Sequence, residues 1–392
     1  MTNGLSYQDN LGYYLVDGVK YASKIAACVT ATQQNKSVKW IFNDAEFDTF
    51  DWRADPVESL DSLYAKRARE IREKYDYVVL SYSGGSDSHN ILSSFLDNGL
   101  FIDEILVTTF ERAQRDFFNI NKNDTRPENF SAENKLQIYP RLKEVQDRSP
   151  LTKINITDLS GFLLNKTFTK DTPAEWVLKQ REPLNPSGIT RFNYLDDVIV
   201  RRRFDKPTSA CIIMGIEKPI TYIKPNTREY RLMFTDGAAN LSPTDTHFYE
   251  YDNTTIEYFY WHPSCTKLIA KQAHTVKRWL EANPQYHEAF TFYSGRQYRE
   301  GLSVRTALLR NVIYNTWNPE WYQAAKGRID WFCSLDDWFI QMHGKTEHGQ
   351  AWWRGLQYVN KHAAPYIEGA GLRPFIKDYY VGELRDVRSI SV

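Results

Sequence analysis

Apolar and polar positions alternate along the chain in two rhythms. Residues 56–75, PVESLDSLYAKRAREIREKY, put Leu60, Leu63, Tyr64, Ala68 and Ile71 at helical spacing behind Pro56 and Glu58, which predicts a helix. Tyr77–Tyr82 (YVVLSY) is a short apolar run, the pattern of a strand buried on both faces. A helix is predicted over His89–Leu96, ended by Asn98-Gly99. Ile102–Phe110 reads as a strand, Glu133–Gln146 as a helix, and Thr152–Thr157 as a strand. Phe192–Phe204 reads as a helix with a basic end, and Ser209–Met214 as a strand that stops at Gly215. A short strand at Val38–Phe42 precedes them all.

Strand and helix alternate, with connections long enough for crossovers. The expected fold class is therefore α/β, a doubly wound parallel sheet. It divides the chain into an N-terminal segment (1–69), an α/β domain (70–230) and a mostly helical C-terminal region (231–392). In that last region CTKLIAKQAHTVKRWLEANP and GQAWWRGLQYVNKHAAPYI keep helical spacing, and most of the 11 tryptophans lie there. Core packing is their simplest use, ahead of base stacking.

Composition narrows the function classes. Lys plus Arg number 49 and Asp plus Glu number 49, so no global basic field advertises nucleic acid, and a nucleic-acid partner would need a local patch. No uninterrupted apolar stretch approaches the roughly 18 residues of a membrane span, and no basic-then-apolar leader opens the sequence. The 4 cysteines (Cys28, Cys211, Cys265 and Cys333) are scattered without a CxxC pair. A reducing, cytoplasmic setting without a membrane partner is expected.

The chemistry concentrates in one stretch. Ser83-Gly84-Gly85-Ser86-Asp87-Ser88 follows the strand at Tyr77–Tyr82 and leads into a helix. In an open parallel sheet, ligands sit at the carboxyl ends of strands, where this loop opens. Gly84 and Gly85 allow a sharp turn and close backbone approach. Ser83, Ser86 and Ser88 bring hydroxyls, and the helix adds its positive end. Together they make an anion cradle. Asp87 would repel a lone phosphate, and makes sense if Mg²⁺ bridges carboxylate and phosphates. Glycines after a strand also make bare turns, and serines beside them also cap helices. The whole six-residue pattern at a strand–helix junction favours the cradle.

SGGSDS in this context resembles the PP-loop of the N-type ATP pyrophosphatases, the superfamily of asparagine synthetase, GMP synthetase, NAD synthetase and argininosuccinate synthetase. The resemblance covers about residues 70–225, and the whole arrangement looks closest to PP-loop proteins of large tailed phages. It implies ATP and Mg²⁺ as cofactors and an AMP-forming ligase. A substrate oxygen attacks the α-phosphate, pyrophosphate leaves, and the adenylated intermediate meets a nucleophile. The acceptor is expected to be a small molecule or a nucleobase. By position, Ser83, Gly84, Gly85, Ser86 and Ser88 would hold pyrophosphate and Asp87 the metal. Adenine would lie against the ends of the first two strands, near Leu80 and Ser81, and Val107, Thr108 and Thr109.

A second motif, Gly215-Ile216-Glu217-Lys218-Pro219, follows the strand at Ser209–Met214. It loosely resembles a glycine-plus-acid motif of the asparagine synthetase branch. Glu217 is expected to take a second Mg²⁺ and Lys218 to neutralise a phosphate. Arg201-Arg202-Arg203 reads as a solvated helix end. Gly344-Lys345-Thr346 lacks the rest of a Walker A motif, because Phe339 stands where its first glycine belongs. His262, Cys265 and His274 lack a fourth zinc ligand. His89 could contact nucleotide or lie on its helix surface.

Two rival functions remain. A phosphoadenylylsulfate reductase-like enzyme uses a similar loop but needs a reactive cysteine near the C-terminus, where only Cys333 stands. A non-catalytic ATP-binding regulatory or nucleic-acid-associated module would keep the loop without turnover. Thr2-Asn3-Gly4 offers no nucleophilic cysteine for a glutaminase, so nitrogen, if used, comes from ammonia, a substrate amine or a partner.

Overall fold

The computed structural model describes residues 10, 12–109, 134–158, 160, 168–180, 209–215, 220–236, 254–291, 302–321, 334–369 and 371–384. The described chain opens with β1 (Tyr13–Val16), β2 (Val19–Tyr21), α1 (Lys24–Gln34) and β3 (Lys39–Ile41), whose strands form an antiparallel sheet of order β2-β1-β3. The short α2 (Asp44–Phe47) follows. α1 starts where the Ser23 hydroxyl accepts the Ala26 N–H, and ends at Asn35 in the left-handed region (φ 52°).

α3 (Leu60–Lys74) begins later than its predicted start at Pro56. Ser59 sets the boundary, because its hydroxyl accepts the Ser62 N–H and satisfies a first-turn donor. Arg72 and Lys74 in its last turn complement the helix dipole.

The central sheet is wholly parallel. It holds β4 (Tyr77–Ser81), β5 (Glu104–Thr109), β6 (Lys153–Asp158), β7 (Ala210–Met214) and β10 (Thr254–Tyr258), in the order β10-β7-β4-β5-β6. Taken in chain order, these strands run 3-2-1-4-5 across the sheet, so the order reverses between β4 and β7. That reversal opens a crevice at the strand carboxyl ends. Val78, Val79 and Leu80 are all fully buried, as are Ile105 and Val107, which is why the strand sequences read as unbroken apolar runs. β10 carries the sheet beyond residue 230, where the sequence reading placed the end of the α/β unit. Its sequence, TTIEY, hides a strand because buried Glu257 breaks the apolar run.

Between β4 and β5 lies α4 (Ser86–Leu96), which starts three residues earlier than predicted. Between β5 and β6, a π-helical turn (Asn134–Ile138) leads into α5 (Tyr139–Arg148). The predicted helix at Phe192–Phe204, with Arg201-Arg202-Arg203, lies outside the described residues.

β8 (Ile220–Lys224) and β9 (Glu229–Thr235) form a hairpin that β13 (Ile376–Glu383) joins to give an antiparallel sheet of order β13-β9-β8. The C-terminal region supplies α6 (Thr266–Ala282), α7 (His287–Phe290), α8 (Leu302–Ile313), α9 (Ser334–His343) and α10 (Glu347–His362), then the short β11 (Ile367–Glu368) and β12 (Gly371–Leu372). Its aromatics largely pack inward. Trp261 meets Phe42 and Phe234 edge-on at 5.5 and 5.3 Å, joining the N-terminal sheet to β9. A buried pair, Lys24–Asp236 at 3.0 Å with the Tyr14 hydroxyl donating to the same carboxylate, ties the same elements together.

Candidate active site

β4 ends beside β5, where the Tyr82 N–H donates to the Leu106 carbonyl at 2.9 Å. The chain then turns through Ser83, Gly84 and Gly85 into α4. Gly84 has φ 67°, which a side chain rarely tolerates. A Cβ there would also lie 3.2 Å from Ile138 Cα and from Gln137 Cγ. Glycine is thus required both by backbone conformation and by close packing.

The turn is held from outside by two side chains the sequence did not single out. Gln137 Nε2 donates to the Ser83 carbonyl at 2.8 Å, and the Arg141 guanidinium donates to the Gly84 carbonyl. A planar trans peptide points its C=O and its following N–H in opposite directions. Fixing these carbonyls toward Gln137 and Arg141 therefore turns the Gly84 and Gly85 N–H groups to the other side of the loop. The Gly85 N–H has only a long contact, 3.4 Å, to Ser83 Oγ.

The serines do not cap the helix. Gly85 is the N-cap of α4 and no side chain caps it, whereas Ser23 and Ser59 cap α1 and α3. Ser83 Oγ and Ser88 Oγ lie 3.3 Å apart, and Ser88 Oγ donates to the Gly85 carbonyl at 3.2 Å. Ser86 is 1% exposed and its hydroxyl has no hydrogen-bond partner among the described residues. A buried hydroxyl left so costs about 1–3 kcal/mol, which a ligand oxygen would recover.

Asp87, in the first turn of α4, is held twice by the C-terminal half. The Tyr314 hydroxyl donates to Asp87 Oδ1 at 2.6 Å, and the Tyr260 hydroxyl donates to the Asp87 carbonyl at 2.8 Å. Asn90 Nδ2 in turn donates to Tyr260 Oη at 3.0 Å. Burial, and then the Asp87 charge, push both phenols well above the usual tyrosine range, so they stay protonated donors. Neither tyrosine carries a sequence signal, because their partner is more than 170 positions away.

Gly215 comes to the same place. A Cβ on it would lie 3.2 Å from the Ser88 nitrogen and 3.4 Å from Ile91 Cδ1, so the end of β7 abuts the first turn of α4. Ser81 and Thr108 are half-buried at the ends of neighbouring strands, and Thr109 is buried. Leu80 and Val107 are fully buried in the core, which leaves them only backbone groups to offer a base. Glu217 and Lys218 lie outside the described residues.

His89 is not a surface residue. It is 2% exposed, lies 3.1 Å from the Tyr82 hydroxyl through Nδ1, and meets the Trp321 ring edge-on at 4.9 Å. Burial, followed by the Arg141 and Arg148 charges, lowers its pKa to about 4. Arg141 packs against Trp317 and Trp321, 4.7 Å from each ring centre. The segment after α8 therefore clasps the loop through Tyr314, Trp317 and Trp321.

The discounted signals have structural uses. His262 Nδ1 accepts the Ser264 N–H and starts the turn before α6. His274 contacts the Trp52 carbonyl at 3.0 Å, and Cys265 is buried against the Phe259 carbonyl. Thr346 caps α10. Among the described residues no group of three His, Cys, Asp or Glu could hold a metal ion, and no helix is long and apolar enough to cross a membrane. No protein-family model and no curated protein matches this chain.

Proposed function

We propose that the protein is an ATP pyrophosphatase-type enzyme of the PP-loop kind, which forms AMP and pyrophosphate while activating an acceptor oxygen. The observation that carries this reading is the position of Ser83–Ser88. The loop lies at the strand-order reversal between β4 and β7, with its carbonyls fixed outward and, among the described residues, its helix uncapped by any side chain and the Ser86 hydroxyl unpartnered.

The chain's residues divide the work. Gly84, Gly85 and the first turn of α4 supply N–H donors to the pyrophosphate end, with the hydroxyls of Ser83, Ser86 and Ser88 beside them. Asp87 is a carboxylate in the first turn of the helix at the cradle, and its donor chemistry fits Mg²⁺, which commonly takes one protein carboxylate plus phosphate oxygens and water. Bound there, the ion would offset phosphate charge. An acceptor oxygen attacks the α-phosphorus, the bond to the bridging oxygen breaks, and pyrophosphate leaves with the electron pair. Donors fixed before that charge grows stabilise the transition state more than the ground state. Ser81 and Thr108 border the adenine side. A nucleophile then displaces AMP from the activated acceptor.

The test is to incubate the protein with α-³²P-labelled ATP and Mg²⁺, with and without pooled metabolites and nucleic acid, and to resolve AMP from ADP. AMP with pyrophosphate, absent in a folded Asp87→Ala variant, is expected. ADP with orthophosphate would overturn the reading.

A further inference from the structure

α3 grips the chain on both sides of Tyr314. Asp61 and Tyr64 are one helical turn apart on α3, and so lie on one face of it. The Tyr64 hydroxyl donates to the Ile313 carbonyl at 2.9 Å, and Asn315 Nδ2 donates to Asp61 Oδ1 at 2.7 Å. The residue before Tyr314 and the residue after it are thus both tied to the same helix. Tyr314 in turn donates to Asp87 Oδ1 at 2.6 Å. A chain of contacts therefore runs from α3, through the end of α8, to the first turn of α4.

Each link has a fixed direction. Ile313 is the last residue of α8, so its carbonyl has no partner within the helix and takes a donor from outside. Gln272 Nε2, on α6, donates to the Tyr64 oxygen at 3.0 Å. That bond occupies the phenol as an acceptor and leaves its proton for Ile313. Burial pushes Tyr64 well above the usual tyrosine range, so the proton stays in place. Tyr64 and Gln272 are 3% and 1% exposed, which keeps solvent from competing for either bond. The Tyr64 ring centre lies 6.2 Å from those of both Tyr260 and Tyr314. Two of these three hydroxyls end on Asp87, and the third ends on the backbone that carries Tyr314. A phenylalanine would fill the same space without burying a hydroxyl, so what the Tyr64 hydroxyl contributes is the bond.

We infer that Tyr64 is a positioning residue for the Asp87 carboxylate and acts through Tyr314. The inference rests on the proposed adenylating site only for what the carboxylate then does, which is to meet Mg²⁺. The phenol of Tyr314 sets the direction of the carboxylate, and the backbone on either side sets the place of that phenol. Without the Tyr64 hydroxyl the buried tie before Tyr314 is lost, while the exposed tie at Asn315 remains.

The first experiment adds no ligand. The full chain carries ¹³C-labelled aspartate carboxyls, and NMR reads the Asp87 signal, assigned by its loss in Asp87→Asn. Tyr314→Phe removes the donor and moves that signal. Tyr64→Phe is expected to move it in the same direction by a smaller amount, and the double variant to match Tyr314→Phe alone. A merely structural role would lower Tm and leave the signal in place. An unmoved signal in Tyr64→Phe overturns the inference, as does a double variant in which the two shifts add. Should Tyr64→Phe fail to fold, 3-fluorotyrosine at position 64 decides, because it keeps the ring and the bond but donates more strongly, and an unmoved signal there overturns the inference too. Calorimetry then titrates Mg²⁺ into protein holding α,β-methylene-ATP, where Tyr64→Phe is expected to weaken the ion about three- to tenfold. A moved signal in a chain that binds neither Mg²⁺ nor nucleotide upholds the inference and sinks the adenylation reading alone. An unmoved signal in a chain that forms AMP does the reverse.

Discussion

Tyr314 donates to Asp87 Oδ1 at 2.6 Å, across 227 positions of sequence. The contact fixes the direction of the Asp87 carboxylate, and a hydrogen bond to a charged group contributes about 1.5–3 kcal/mol. Tyr314→Phe keeps the ring, which packs 5.9 Å from Tyr260, and removes only the hydroxyl. Turnover is expected to fall about tenfold, with a higher Mg²⁺ concentration at half-saturation and little change in Tm. Initial rates across a Mg²⁺ titration, beside a thermal melt, check this. An unchanged Mg²⁺ dependence would remove the positioning role.

Gly84 and Gly99 make a paired experiment. Both have positive φ, 67° and 66°, but a Cβ at Gly84 meets Ile138 and Gln137 while one at Gly99 meets nothing. Gly99→Ala should therefore cost only the backbone penalty, about 1–2 kcal/mol, and leave ATP binding alone. Gly84→Ala adds a clash with the segment that fixes the loop carbonyls. It should cost more, and weaken ATP binding at least tenfold. Denaturant midpoints and nucleotide titrations on both variants separate the two effects. Equal loss of affinity in both would show that the loop tolerates its neighbours moving.

Much of this site was legible because its parts are local. The strand at Tyr77–Tyr82, the two glycines and the start of a helix are consecutive, so periodicity and turn chemistry located them. Gly215 was found because a glycine directly after an apolar strand is itself a signal. The residues that hold the loop were not legible. Gln137 and Arg141 act from a π-helical turn and a helix start, where neither polar residue breaks a pattern. Tyr260 and Tyr314 read as ordinary core aromatics until their hydroxyls are seen on Asp87. β10 escaped because Glu257 interrupts it, and a buried carboxylate is acceptable only beside cations that sequence does not bring near.

His89 makes an acid-sensitive contribution. Burial, with the Arg141 and Arg148 charges, sets its pKa near 4 in the folded protein, below its ordinary 6.5. Between those values the unfolded chain binds a proton that the folded chain does not. Stability therefore falls as pH drops from about 6.5 to about 4, by at most roughly 3 kcal/mol from this group. His262, lowered to about 4 chiefly by burial, acts in the same direction. His89→Gln keeps a polar partner for Tyr82 and removes the proton. Urea unfolding at several pH values should show a shallower slope for His89→Gln across this window, with convergence of the slopes above pH 7. An unaltered slope would mean that His89 is not held neutral.

Glu257 anchors α3 to the edge strand β10. Its carboxylate is 1% exposed and meets Arg67 at 2.8 Å, Lys74 at 2.8 Å and the Tyr75 hydroxyl at 2.5 Å. Burial pushes its pKa up, but Arg67, His262, Lys74 and Tyr75 outweigh burial and hold it at about 2. The folded value is depressed, so this stabilisation is full above the ordinary carboxylate value of 4.5 and is lost as pH falls toward 2. Glu257→Gln leaves Arg67 buried without its counter-charge and should cost about 3–5 kcal/mol at pH 7, with a smaller difference from wild type at pH 3. Replacing both partners by methionine removes the stranded charge, yet it cannot restore wild-type stability. Arg67 also donates to the Phe259 and Tyr258 carbonyls at 3.3 and 3.1 Å, and the guanidinium's bonds to both would be lost. The expected order at pH 7 is wild type, then Arg67→Met with Glu257→Met, then Glu257→Gln. A double variant as stable as wild type would show that water satisfies those carbonyls, and that the ion pair contributes no net stability to the fold.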